Sequence, residues 1–421
     1  MPINFFPLSK QSQLAQTMDK VFEADYPTET IKEGKAQVVV PKLSAFVQES
    51  SEYAPSKAPV FYNPVMEFNR DVTILAFQTY QRTTRRNITI CEPLTGTGIR
   101  GVRFATEIHG VKKVVSGDIN ERSAKLATYN VSLNELQKRV TVKHKDANRL
   151  LSEHSAPHKR FDIIDIDPFG TPVPYIDSAI RALRNHGLLA ATATDMAPLC
   201  GVHPKACIRK YGGKPLRTEY CQELAVRLLA GCVATAAAKQ DIGTRVLFSH
   251  CSDHYIRVYT EIAYGAQKAD ESIRNLGYVL HCFKCLHRES TKSLFAEKTK
   301  CPECGTTMDY AGRLFLGKIF DRQFCESILN ENSHRALKNS AKITKLLSLS
   351  KGEAEAPSTY YVLDRVSQKL GLPAPSVATF FQTLHDSGFQ AVPTHFNSRG
   401  VRTDAPAMVV QKTLQKLVAT A

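Results

Sequence analysis

No stretch of the chain reaches the roughly 18 uninterrupted apolar residues that a bilayer-spanning helix needs, which argues against a helical membrane protein. The opening MPINFFPLSKQSQLAQ lacks both the basic start and the apolar centre of a secretory signal. Internal repeats and low-complexity tracts are missing too. Acid is in short supply: 40 Asp and Glu face 55 Lys and Arg, a formal charge of +15. Such an excess points to a polyanionic partner, with nucleic acid first in line; a basic protein without one is the bland alternative. Eleven cysteines, an odd number, do not form a disulfide framework. They read as reduced thiols plus a metal site, in a reducing intracellular compartment.

What is present fits an ordinary globular protein: 43% hydrophobic and 23% charged residues, enough to bury a sizeable core. At 421 residues, two or three domains are expected. The chain is organised around residues 161–174, FDIIDIDPFGTPVP. Phe161, Ile163, Ile164 and Ile166 form a short apolar run of the kind found in buried parallel strands. It ends on Asp165 and Asp167, followed by a loop stiffened by Pro168, Gly170 and Pro172. Open α/β sheets place ligands at the carboxyl ends of their strands. A plain polar turn would not need Phe169 held between Pro168 and Gly170; a loop gripping a flat base would.

Residues 1–60 read as an N-terminal extension with one strand at 36–40, and 53–59 as a loop. A turn at Asn63-Pro64 leads into a helix over 65–80. Residues 87–91 (NITIC) form a strand that enters Glu92-Pro93-Leu94-Thr95-Gly96-Thr97-Gly98, a glycine turn that lets backbone approach a nucleotide-like ligand. By itself this incomplete G-x-G motif could be a tight turn. A helix over 101–109 and a strand over 111–115 follow, and Asp118 then stands about 20 residues beyond the glycines, placed to accept ribose hydroxyls. A helix at 121–135, a strand at 140–144 closed by Asp146, the 161–166 strand and another at 186–193 continue the alternation. That rhythm predicts a parallel sheet with helices on both faces. Acids at four strand ends (Glu92, Asp118, Asp146 and the Asp165/Asp167 pair) fit S-adenosylmethionine better than a dinucleotide. A helix at 219–240, strands at 244–249 and 255–263 and a linker at 265–274 complete this part.

Cys282 and Cys285, then Cys301 and Cys304, form two C-x-x-C knuckles, the spacing of a tetrathiolate zinc ribbon over about residues 277–312. Four thiolates leave no open position, so the zinc is expected to be structural; His254, His281 and His287 are read as surface or packing residues. Two helices and a β-wing over about 356–410 suggest a winged-helix-like module. Arg335, Lys338, Lys342 and Lys345 recur at helical spacing, as a solvated face or a phosphate contact.

The loop DPFGTP, with EPLTGTGIRG, FYNPVMEFNRD, TDMAPLCG, the late THFNSRGVRTDAP and the paired C-x-x-C motifs, resembles the tRNA guanine-N2 dimethyltransferase family, which modifies guanine 26. The likeness covers residues 31–410, and D-P-F differs from the D/N-P-P-aromatic loop of commoner amino methyltransferases. The fold it implies is α/β: a Rossmann-like class I methyltransferase domain within residues 1–266, then a C-terminal α+β, tRNA-binding domain over 267–421 that carries the zinc ribbon and winged-helix-like module. It implies that Arg70, Arg100, Asp118, Asp146 and Ala147 contact S-adenosylmethionine; Glu92, as the strand-end acid, and Gly96, in the glycine turn, are read from their positions as further cofactor contacts. It likewise implies that Phe61 and Phe169 sandwich the guanine while Asp167 engages its amine. From the chemistry alone, a carboxylate at 167 suits holding an exocyclic amine and later taking its proton; the alternatives are a loop cap at Asp167 and a core ring at Phe169. The expected partner is tRNA, with no membrane, and the expected state a monomer. The compartment depends on the source: cytoplasm in a prokaryote; nucleus, mitochondrion or plastid in a eukaryote. A non-catalytic zinc-ribbon and winged-helix binder, or methylation of rRNA, DNA or a protein amide, are the competing readings.

Overall fold

Strands rich in Ile and Val with no polar face must be covered on both sides, and that requirement shapes this chain. The computed structural model describes residues 23–47, 54–252, 254–294 and 300–419. Its centre is a seven-stranded sheet in the order β5-β4-β3-β6-β7-β9-β8. The strands are β3 (Ile88–Glu92), β4 (Val111–Asp118), β5 (Val140–His144), β6 (Phe161–Ile166), β7 (Leu183–Ala193), β8 (Ile242–Ser252) and β9 (Tyr255–Tyr264). The β3–β4, β4–β5, β3–β6 and β6–β7 pairs are parallel, and β9 runs antiparallel to both β7 and β8. After β5 the chain returns to the other side of β3, so the strand order reverses between β3 and β6. A crevice opens at such a switch point. Every residue of β6 is buried, as its apolar run requires.

The Glu67–Thr84 helix lies within the core, buried from Phe68 to Tyr80. The Cys221–Ala238 helix is long and apolar enough by composition to cross a membrane, yet most of it is buried inside the fold. It packs closely on strand Asp309–Phe315, where a Cβ on Gly231 would stand 3.1 Å from the Phe315 nitrogen, tighter than an ordinary contact.

Two expectations are corrected. Residues 265–274 are not a linker: Ala266–Arg274 is a helix that buries Ala269 and Ser272 and sends its charges outward. Within 53–59, Ala54–Lys57 makes one helical turn where a loop was expected. A strand not foreseen, β1 (Thr28–Glu33), pairs antiparallel with β2 (Ala36–Pro41).

Beyond the sheet, β10 (Leu276–His281), β11 (Arg288–Thr291) and β12 (Asp309–Phe315) form a small antiparallel sheet in the order β11-β10-β12. The winged-helix-like order is present: helices Leu363–Leu370 and Val377–Asp386, then β14 (Ala391–Pro393) and β15 (Gly400–Thr403), with β13 (Tyr361–Val362) on the far side of β15. One hydrophobic cluster runs from Ala36 through the sheet to Phe396, and a smaller one fills the wing module around Phe380, Leu384 and Val410. Arg402 joins these parts: buried, it pairs with Glu353 at 2.6 Å and Glu223 at 2.9 Å. The basic run does not form one helical face. Arg335 and Lys338 lie in the turn between the Arg322–Ser333 and Ser340–Glu353 helices, where half-buried Arg335 donates to the Glu107 carbonyl at 2.9 Å and exposed Lys338 pairs with Glu67 at 2.6 Å, while Lys342, over the Phe68 ring, and Lys345 are exposed on the second helix.

The β1–β2 hairpin is held by charge. Arg103, fully buried, pairs with Glu33 at 2.8 Å, Asp71 at 2.7 Å and Glu107 at 2.7 Å. Burial pushes the Glu33 carboxyl up, but Arg70 and Arg103 outweigh it and hold it below the ordinary range. Its stabilisation is therefore present above the ordinary Glu pKa and is lost as pH falls through the lower folded value. Arg103→Met should destabilise the fold by about 3–5 kcal/mol, the cost of stranding buried carboxylates. A drop in the chemical-denaturation midpoint is the readout; an unchanged midpoint would contradict it.

Candidate active site

Four strand ends converge on the switch-point crevice. Glu92 closes β3, buried, and its Oε2 accepts from Thr95 Oγ1 at 2.8 Å and Ser116 Oγ at 3.1 Å. Its Oε1 is buried without a partner. Burial, aided by the nearby Asp165 and only partly countered by these hydroxyls and Arg100, pushes the Glu92 carboxyl up to about 8. It is thus a largely protonated acid at neutral pH, with one atom waiting for a partner.

The turn after Glu92 owes its shape to two glycines. Gly96 has φ 53° and a Cβ there would stand 2.9 Å from the Phe61 carbonyl oxygen; Gly98, at φ 82°, would strike Ala127 at 2.8 Å. The Gly96 N–H donates to Asp118 Oδ2 at 2.9 Å, and the Asn120 N–H donates to Oδ1 at 2.9 Å. Asp118 is thereby fixed at the end of β4 beside the turn, its carboxyl raised by burial despite those bonds. One strand further out, Asp146 caps the Ala147–Ser152 helix by accepting from the Arg149 N–H at 2.9 Å, and Ala147 is buried.

Asp165 and Asp167 lie two residues apart at the end of β6, on one face of the strand. Asp165 is fully buried and takes Arg257 Nη2 at 2.6 Å on one oxygen and Arg100 Nη1 at 3.5 Å on the other. Arg100 Nη2 reaches Asp167 in a short contact and the Asn69 side-chain oxygen at 2.9 Å. Asp167 retains 15% exposure. Burial raises its carboxyl, yet Arg100 and then Arg257 more than offset this and hold it below the ordinary Asp range. It is an ionised acceptor.

Two residues beyond Asp167 comes one ring of an aromatic pair. Phe169 is 61% exposed, so a core role is excluded, and its ring meets Phe61 with centroids 4.1 Å apart and planes at 73°. The loop carrying Phe169 is pinned to the next strand end: the Gly170 N–H donates to Thr194 Oγ1 at 2.7 Å, and the Thr194 N–H to the Gly170 carbonyl at 2.8 Å. Asp195, beside Thr194, accepts from Lys210 at 3.0 Å and Tyr211 at 2.5 Å.

The structure thus brings Glu92, Gly96, Arg100, Asp118, Asp167, Phe61 and Phe169 to one crevice, with Asp146 and Ala147 at the adjoining strand end. Arg70 is engaged elsewhere: both arms of its fork hold Glu33 at 2.6 Å, and it also donates to the Asn63 carbonyl at 3.2 Å. A ligand carboxylate at Arg70 has to displace Glu33. Sequence reading passed over Arg257, Thr192 and Asn69. The signal for Arg257 was there, as an arginine in the middle of the apolar strand YIRVYTEIAY.

At the ribbon, Cys282, Cys285, Cys301 and Cys304 place four sulfurs within 4.8 Å of one another. Sulfurs each about 2.3 Å from a tetrahedral zinc stand about 3.8 Å apart, so the cluster suits that ion. The histidines are not in it: His281 is buried against Tyr220 and lowered to about 3 by burial, His287 faces Glu303, and His254 is exposed.

A family model described as N2,N2-dimethylguanosine tRNA methyltransferase matches residues 34–415. The tRNA (guanine(26)-N(2))-dimethyltransferase of Methanobrevibacter smithii is 41% identical over 394 residues, spanning 93% of this chain and 98% of its own. The tRNA (guanine(26)-N(2)/guanine(27)-N(2))-dimethyltransferase of Aquifex aeolicus is 34% identical, over 92% of this chain and 96% of its own. The solved structure of Trm1 from Pyrococcus horikoshii with S-adenosyl-L-methionine matches with a TM-score of 0.80 at 32% identity, covering 92% of this chain and 99% of that one.

Two outcomes follow from the geometry. A carboxyl kept protonated up to about 8 opposes folding increasingly as pH climbs from the ordinary Glu range to that value. Glu92→Gln should therefore stabilise the ligand-free protein at pH 8 and lose that advantage near pH 4; equal melting-temperature differences at both pH values would refute the assignment. Metal analysis should find one zinc per chain, lost in Cys282→Ser together with cooperative melting of the ribbon.

Proposed function

The chain belongs to the N2,N2-dimethylguanosine tRNA methyltransferase family, and from that premise we infer that it transfers methyl groups from S-adenosyl-L-methionine to the exocyclic N2 of guanine 26 in tRNA, giving N2-methyl- and N2,N2-dimethylguanine. The observation that carries the reading is an ionised Asp167 at the end of a buried strand, followed two residues on by Phe169 in contact with Phe61.

The residues suit the cofactor. The buried, unpartnered Glu92 Oε1 offers a place for a cationic ammonium, which would draw that carboxyl back down from about 8. Asp118 stands where ribose hydroxyls are accepted, and Gly96 has no side chain to block the approach. Asp146 and Ala147 are proposed to border the purine, and Arg70, once it releases Glu33, is proposed for the carboxylate, which Arg forks recognise well; Arg100 is proposed to border the cofactor while its fork stays with Asp167 and Asp165. When bound, the cofactor supplies an electrophilic sulfonium methyl.

An exocyclic amine on guanine is a poor nucleophile because its lone pair is shared with the ring. Asp167 accepts one of its N–H bonds, holds the nitrogen in line and takes the proton once the bond to carbon has formed. A carboxylate of lowered pKa is a weak base. That is sufficient, because a guanine nitrogen that has just been alkylated is a strong acid.

Phe61 and Phe169 are proposed to stack on the extruded base. Two rings clasping a base stand roughly 7 Å apart, twice a contact distance of about 3.5 Å, so the pair at 4.1 Å is closed and must part to admit one. Phe169, on an exposed loop tip, is the ring free to swing. For the body of the tRNA we propose residues 267–421. An open groove of about 630 Å³ there is lined by Arg274, Lys292 and Arg313 with Tyr278, and shows cations and no acid to a phosphate backbone. The relatives come from archaea and a bacterium, and cytoplasm is the compartment proposed by analogy.

Mass spectrometry of tRNA nucleosides after incubation with enzyme and cofactor should show both methylated guanines, and position-resolved digestion should place them at 26 and report on 27. Asp167→Ala should lose activity by at least about 100-fold, the scale of a positioned acid–base group, while cofactor binding persists. Full activity in that variant would remove Asp167 from the reaction.

A further inference from the structure

Asp167 is one member of a buried group of four charges, and its partner Arg100 is claimed by two carboxylates at once. Arg100 reaches Asp167 through Nη2 and Asp165 through Nη1 at 3.5 Å. Asp165 and Arg257 are both fully buried, and Arg257 Nη2 binds Asp165 at 2.6 Å. Arg257 Nη1 also donates to Thr192 Oγ1 at 2.5 Å, and both Arg257 and the Thr192 hydroxyl help to hold the Asp167 carboxyl low. No other residue of this set comes from β9.

We propose that Arg257 is a positioning residue for methyl transfer: by neutralising Asp165 it leaves Arg100 to hold the Asp167 carboxylate. The inference rests on the role given to Asp167 above. The physical reason is competition. Asp165 has no access to water, so without Arg257 it draws Arg100 away from the more exposed Asp167. Asp167 then loses its nearest cation.

The other groups facing Asp167 are Asp165 on its own strand, Tyr255 on β9 and, through Arg100, Glu92 at the end of β3 and Asn69 on the Glu67–Thr84 helix. None is a second cation. Removing Arg257 therefore has a defined sign. The ionised form of Asp167 becomes harder to keep, and the acid limb of activity moves to higher pH.

The test compares wild type, Arg257→Met, Arg257→Lys, the double variant Arg257→Met with Asp165→Asn, and Asp167→Ala, by kcat and KM for tRNA across pH. Arg257→Met should lose at least about tenfold in kcat at pH 7 and shift the acid limb up by about one unit, the low end of what a close opposite charge does to a carboxylate. KM for tRNA should stay within about twofold, since positioning acts on the reacting atoms more than on uniform binding. The double variant strands no carboxylate at 165 and should regain most of kcat with the limb returned toward wild type; Arg257→Lys should lie between. A limb that stays put in Arg257→Met, or a double variant no better than the single, overturns the inference. If the single variant does not fold, the double one decides by the position of its limb. An active Asp167→Ala would instead sink the role of Asp167 itself, a different failure.

Discussion

An ionised carboxylate in a dry place needs a cation beside it, and this fold meets that need at the end of β6. Asp165 and Asp167 against Arg100 and Arg257 give a neutral group of four, drawn from the centre of the sheet, the helix after the glycine turn and an antiparallel strand. Each member is costly to bury alone and tolerable only with the others present. The parallel order of β3 and β6, the glycine turn that launches the Arg100 helix and the late return of β9 next to β7 all serve to bring these four residues together.

The same crevice holds a second carboxyl in the opposite condition. Glu92 lies near the same charges, but its nearest partners are hydroxyls and it is pushed up to about 8 where Asp167 is held low. Two acids a few residues from neighbouring strand ends are thus kept in different protonation states by what lies beside them, one suited to accepting an amine proton and the other open to a cationic ligand. The division needs no metal at this position. The four-cysteine cluster sits apart, in the ribbon, with its sulfurs spaced for a zinc ion.

Much of this was legible in the sequence because local chemistry dictated it. The run from Phe161 to Ile166 had to be a buried strand, a carboxylate at its end had to face the crevice, and the cysteine spacing had to form knuckles. The pairings across long separations were not legible. Arg257 meets Asp165 across 92 residues, and nothing in either neighbourhood names the other. Helical spacing grouped Arg335, Lys338, Lys342 and Lys345 but could not say that the first two sit in a turn between helices, paired with Glu107 and Glu67, while the last two stay exposed. The residues at 265–274 were mistaken for a linker because polar composition hides how few small residues, here Ala269 and Ser272, are enough to seat a helix on a sheet.

The hydrophobic cluster that includes both Ala36 and Phe396 is crossed by the ion pairs of Arg402. Truncating that one guanidinium would leave Glu223 on the Cys221–Ala238 helix and Glu353 on the Ser340–Glu353 helix short of a cation together, so the stability of each region is tied to the other.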